Sequence, residues 1–276
     1  MNDDTARLAG LDPESRAGVE ALLGGLEYRD VTAAQAIRDI LITDLGSVDG
    51  QEPPEAGEFA WLAAAVEAVP VVADWMKRRG IDDTTVLATL SDVGRQLRLH
   101  RRNTGRVGFD VPFWMGAVLC GNFYQLGRLQ YELRRWRPDE PRPEISAGEF
   151  ALDVHIPATG PLDPAAVSTS FEQAAQFFAR HFPDRPTDIA ICGSWLLDPS
   201  LAEHLPTNSN ISVFQRQFTA YGVPMDDELD AMYFVFGQRS LDNLGDLPRQ
   251  TLLQRLVLER IESGHRWQRV RGYREL

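Results

Sequence analysis

The stretch "DIAICGSWLLDP", residues 188–199, decides how the second half of the chain is read. Ile189 to Ile191 is an apolar run short enough for a buried strand, yet it passes into Cys192, Gly193, Ser194 and Trp195 before a turn at Asp198 and Pro199. Small polar groups at the carboxyl end of a core strand leave room for a ligand, because ligands of open sheets gather where strands end. Counting from Asp188, the side chains of Ala190, Cys192, Ser194 and Leu196 face one way. Those of Ile189, Ile191, Gly193, Trp195 and Leu197 face the other.

Upstream, Phe150, Leu152, Val154 and Ile156 alternate with Ala151, Asp153 and His155, which predicts a strand with Asp153 and His155 on one face. Between the two strands, Asp163 supplies an N-cap, Pro164 a first helical position, and Val167, Phe171, Ala174, Phe178 and Phe182 an apolar stripe. Strand, helix and strand of this length form a right-handed crossover joining parallel neighbours. Asp153 and His155 are then expected to share a face and a sheet end with Cys192 and Ser194. Downstream, Ser209 or Asn210 caps a helix carrying Ile211, Phe214 and Phe218. "LDAMYFVFG" (229–237) reads as a strand, 247–264 as a helix closed by Gly264, and "HRWQRVRGYR" as a last strand.

The first half reads as helices, with apolar residues at three- and four-residue spacing from Val19 to Leu97 and a kink or break expected at Pro70. Residues 111–136 are broken near Gly121, and the part beyond it is compatible with a strand. "RPDEPRPEISAG" (137–148), with three prolines, reads as a linker or long hairpin loop. The expected organisation is therefore a helical domain over 1–140, whose last part (123–136) forms a strand or a helix, and a second domain over 141–276.

Of 276 residues, 43% are hydrophobic and 25% charged, as in a folded globular chain. A net charge of −12 argues against nucleic acid or an anionic membrane as partner. Two basic clusters stand against that balance: Arg95, Arg98, Arg101, Arg102 and Arg106, and the arginines from Arg249 to Arg274. They read as helix-end and tail charge or as phosphate contacts. No apolar stretch reaches the roughly 18 residues of a membrane span, and the N-terminus lacks a signal-peptide layout, so a cytoplasmic location is expected. Two cysteines far apart and five histidines without metal-ligand spacing predict neither a disulfide nor a metal site.

"LDVHIPATGPLDPAAV", "CGSWLLDPSLAEHLPTNSNISVFQRQF" and "FYQLGRLQYE" resemble bacterial acyltransferase-like proteins that pair an N-acyltransferase N-terminal domain with a GNAT-like C-terminal domain. The resemblance covers most of the chain and is strongest from Leu152 to Phe218. It implies an α+β fold with a GNAT-like mixed sheet. It also implies transfer of an acyl group from acetyl-CoA or another acyl-CoA to the amine of a small molecule. Two departures accompany it. The stretch after Trp195, "LLDPSLAEHL", lacks the glycine-rich turn that holds a pyrophosphate, and Gly193 stands where related sequences often carry a histidine.

In the reaction this implies, main-chain N–H groups around Gly193, Trp195 and Leu196 polarise the thioester carbonyl. His155 or Asp153 takes the amine proton, and Cys192 or Ser194 returns one to the thiolate. Cys192 also reads as a buried filler, Ser194 as a turn former, Trp195 as core and His155 as a structural hydrogen-bonder. Asn210, Gln215, Arg128 and Gln130 are the candidate substrate contacts. A non-catalytic binding module on the same scaffold and a Cys192–His155 hydrolase are the rival readings. The oligomeric state is left open.

Overall fold

The computed structural model describes residues 1–137, 140–143 and 148–276. The linker expected over 137–148 lies in part outside them. The chain divides into two compact units, Met1–Leu126 with Gln130–Arg135, and Gly127–Leu129 with Trp136–Leu276. The fold class is the expected α+β: a helical first part and a mixed sheet with flanking helices.

The first unit is built from α1 (Asp3–Leu8), α2 (Pro13–Gly24), α3 (Tyr28–Thr43), α4 (Glu58–Arg78), α5 (Asp83–Leu90), α6 (Asp92–Thr104) and α7 (Trp114–Leu119). Asn2, Asp12 and Asp82 cap α1, α2 and α5 by accepting from the backbone N–H three residues on. Helix α4 is the centre of this unit and packs against α3 and α1. It runs unbroken through Pro70, contrary to the expected break, and the proline ring lies on the exposed side. Contrary also to the expectation from sequence, α4 is long and apolar enough to cross a membrane. However, 67% of its most apolar window is buried, as in the core helix of a folded domain.

After α7 the chain reverses at Gly121, whose φ of 81° belongs to the left-handed region. β1 (Phe123–Leu126) and β2 (Leu129–Arg135) follow as sheet neighbours around Gly127, so the alternating segment after Gly121 is two strands rather than one.

The second unit contains β3 (Phe150–His155), α8 (Pro164–His181), β4 (Ile189–Ser194), α9 (Ser200–His204), α10 (Asn210–Gln215), β5 (Thr219–Asp226), α11 (Glu228–Phe236), α12 (Leu252–Glu262) and β6 (Gln268–Glu275). β4 runs parallel to β3 and antiparallel to β6, which in turn pairs antiparallel with β5. Helix α8 forms as the sequence predicts, with Asp163 accepting from the Ala166 N–H and with Val167, Phe171, Ala174 and Phe178 buried. Each buried phenylalanine contributes about 1.5–3 kcal/mol over an exposed one.

Two elements differ from expectation. Residues 229–236 are helix, not strand: Glu228 and Asp230 favour the N-terminus, Ala231, Met232 and Tyr233 are buried, and Gly237 ends the helix in the left-handed region. The sheet edge is instead β5, which is almost entirely exposed and carries no apolar alternation to announce it.

Candidate active site

The parallel ladder between β3 and β4 is registered at only two pairs, Leu152 with Ala190 and Asp153 with Ile191. β3 continues to His155 and β4 to Ser194. On its other side β4 stays paired with β6 over its whole length, down to Ser194 opposite Val270. The registered ladder between the two parallel strands thus stops short of their carboxyl ends, with residues 154–155 on one strand and 192–194 on the other lying beyond it. This is the sheet position where ligands collect.

The register also decides which side chains share a face. Asp153 lies beside Ile191, and Gly193 beside Arg271. Asp153 and His155 are therefore on the face of Ile191 and Gly193, not on that of Cys192 and Ser194 as the sequence suggested. A register offset of one residue moves every side chain of a strand to the other face. Cys192 is 2% exposed, and burial pushes its thiol pKa far up, with the charge of Asp153 adding to the effect.

The remaining expected residues are placed as follows. Ser194 accepts from the Leu196 N–H at 3.1 Å and caps the short turn Trp195–Leu197. Trp195 packs edge-on against Trp267, with centroids 5.8 Å apart, in a core that includes Leu201, Met232 and Leu258, and Leu196 lies against that core. Gln215 donates from Nε2 to the carbonyls of Leu196 (2.8 Å) and Asp198 (2.9 Å), so its amide fixes the turn after β4. Buried Asp198 completes that turn by accepting from the backbone N–H groups of Ser200 and Gln268. Asn210 opens α10, which Ser209 caps by accepting from the Ser212 N–H.

Arg128 donates to three carbonyls of the loop between β3 and α8: Pro157 at 3.1 Å, Gly160 at 2.7 Å and Pro161 at 2.9 Å. This loop is the strand-to-helix turn of the crossover, the place where a helix N-terminus meets an anion. The sequence reading had located that turn after Trp195. Here it is "PATGPLDP", 157–164, with Asp163 already occupying the α8 N-terminus. Gln130 belongs to the first unit, where its Nε2 donates to buried Asp92 at 2.9 Å.

The face of Asp153, His155 and Gly193 carries further polar groups that the sequence reading did not single out. Arg269 donates from Nε to the Gly193 carbonyl at 3.3 Å, and a Cβ at Gly193 would stand 3.2 Å from that nitrogen. Arg271 lies between Gly193 and Tyr221. Beside them β5 bulges, because Tyr221 faces Arg271 and Met225 faces Arg269, with three residues set against Val270 alone. Asp227, next to this bulge, has its carboxyl pKa pushed up to about 6 by burial and by Asp230, against the opposing charge of Arg269. The alternation of Arg269, Arg271 and Tyr273 in the last strand is the signal that could have found this face.

The opposite face is packed. Gly272 lies against Phe218, and Arg274 stacks 4.0 Å over Phe171 of α8 while donating to Gln217 Oε1 at 2.7 Å. On this side a hollow of about 600 Å³ runs along the first turns of α8, lined among others by Pro164, Ser168, Val213 and Arg274.

Comparison with known proteins places the fold. A crystal structure of an acyltransferase in complex with decanoyl-CoA superposes with a TM-score of 0.84 at 27% identity, covering 99% of this chain and 86% of that one. An acyltransferase in complex with decanoyl-CoA and teicoplanin gives 0.84 at 27% identity, with 99% and 87% covered. An acyltransferase mutant in complex with octanoyl-CoA gives 0.85, with the same identity and coverage as the teicoplanin complex. No curated protein matches the chain. Residues 3–121 match the N-acyltransferase N-terminal domain and residues 123–274 the GNAT-like C-terminal domain. The chain therefore belongs to the acyltransferase family in which an N-acyltransferase N-terminal domain is joined to a GNAT-like C-terminal domain.

Proposed function

We propose that the protein transfers a medium-chain acyl group from its coenzyme A thioester to the amine of a small molecule, with the thioester lying in the cleft where β3 and β4 part. The observation that carries this reading is the ladder that ends at Ile191 while both strands run on. In this reading, main-chain N–H groups among residues 192–194 that are not used by the pairing with β6 polarise a carbonyl inserted between the strands. Decanoyl and octanoyl thioesters in related structures support the donor, and teicoplanin in another makes it the first acceptor to assay.

In this scheme the amine nitrogen attacks the thioester carbonyl carbon, the carbon–sulfur bond breaks, and coenzyme A leaves. His155, with Asp153 on the same face, takes the amine proton. Ser194, on the other face and partly exposed, returns a proton to the departing thiolate in preference to Cys192, which is sealed in the core. A binding module without catalysis is the second reading, favoured by the glycine-poor turn at 157–164.

Titration with decanoyl-CoA, followed by mass spectrometry of teicoplanin incubated with both, separates the readings. Binding and an acyl adduct support transfer, binding without any adduct supports the module, and no binding removes the proposal.

A further inference from the structure

We infer that Arg269 and Arg271 form the recognition site for a carboxylate carried by the acyl acceptor, so that the substrate class is an amine bearing an acid group, such as an amino acid or peptide. The inference rests on the proposed transfer reaction and adds a second point of attachment to it.

The two guanidinium groups start from the same face of β6, two residues apart, and both border Gly193 at the end of the cleft. Arg271 is half-buried and makes no side-chain hydrogen bond or ion pair with any described residue. Arg269 has one such bond, to the Gly193 carbonyl, which uses Nε and leaves its terminal nitrogens. Most other arginines of the second unit are spent: Arg128 on three carbonyls, Arg266 on Asp226 and Glu228, Arg249 on Glu262, Arg239 on Asp230 and Arg274 on Gln217. Planar donor forks from two residues on one face of a strand fit the two oxygens of a carboxylate.

Position on the sheet chooses the source of the anion. Helix α8 packs on the face of Gly272 and Arg274, and its N-terminal turn is where the phosphates of a coenzyme would pass. Arg269 and Arg271 are on the other face, with His155 and Asp153. An anion held there belongs to the molecule approaching the base. Glycine at 193 lets the Arg269 guanidinium lie directly against the strand, and the β5 register shifts beside it, between Tyr221 and Met225.

The test is calorimetric titration of the CoA-saturated protein with phenylalanine and with phenethylamine, which differ only in the carboxylate. Phenylalanine is expected to bind at least about tenfold more tightly, and Arg269→Gln with Arg271→Gln to erase that difference while the affinity for decanoyl-CoA is unchanged. Equal binding of the two amines, no binding of phenylalanine, or a double variant that keeps the preference overturns the inference. So does a double variant that weakens decanoyl-CoA instead, since the arginines would then serve a coenzyme phosphate. Failure of decanoyl-CoA to bind the unaltered protein strikes the transfer reaction itself and is read separately.

Discussion

The two faces of the β4–β6 ladder use the same strands to opposite ends. On one, Gly272 lies under Phe218 and Leu197, with a Cβ there only 2.7 Å from Phe218 Cβ and 3.0 Å from Leu197 Cδ1. On the other, Gly193 faces only the flexible end of Arg269. A side chain at the first would press into the core, whereas one at the second would meet only the movable guanidinium of Arg269. On the proposed reaction, packing and chemistry lie on opposite faces of one sheet.

The largest effect that sharpens this contrast is expected at His155. His155→Gln should lower kcat for acyl transfer by about 10²–10⁴-fold with little change in the unfolding midpoint, because general-base catalysis has that magnitude. Next come the two glycines. Gly272→Ala should cost about 1–3 kcal/mol in urea unfolding through overpacking, whereas Gly193→Ala should cost less than about 0.5 kcal/mol yet raise KM for the acceptor. Equal costs at the two positions would break the contrast.

Cys192→Ser, on the packed face, is expected to lose about 1–2 kcal/mol of stability and to keep its acyl-transfer rate. Abolished transfer in a folded variant would restore a catalytic cysteine.

The smallest effect is electrostatic. The Asp227 carboxyl titrates near 6 in the folded chain against an ordinary 3.8, so the native state holds this proton more tightly than the unfolded one. Its contribution therefore favours folding at low pH and is lost as pH rises from about 4 to 6. Asp227→Asn should gain stability relative to the parent across that window, by about 1 kcal/mol above pH 6 after allowance for partial exposure. A difference that does not vary with pH would place the carboxyl elsewhere.

The arginine clusters teach a related lesson. On α6, Arg95 pairs with Asp92, Arg98 donates to the Gly10 carbonyl at 2.7 Å, and Arg101 reaches Asp12, Ser15 and Glu14. These three arginines of the cluster are engaged within their own unit. Arg269 and Arg271 make no ion pair among the described residues, although Asp227 is near enough to feel the charge of Arg269. Charge counted along a sequence does not distinguish the two, since the distinction lies in which partners the fold brings near.

Local features were legible in the sequence. The cap and stripe of α8, the alternation of β3, the apolar start of β4 and the break at Gly121 all rest on neighbours within a few residues. What could not be read was non-local. The offset that places Asp153 beside Ile191 is fixed by pairing across a crossover of more than thirty residues, and it decides which side chains share a face with His155. The apolar run 229–236 fits either period, and its burial among Trp267, Val257 and Leu258 settles it as helix. β5, exposed and bulged, leaves no hydrophobic trace at all.

Amide hydrogen exchange with and without decanoyl-CoA addresses the parted strands most directly. Saturating decanoyl-CoA should slow exchange by about tenfold or more in peptides covering residues 154–156 and 192–195, and leave α6 unaffected. Unchanged exchange in those peptides while decanoyl-CoA is demonstrably bound would put the thioester somewhere other than between β3 and β4.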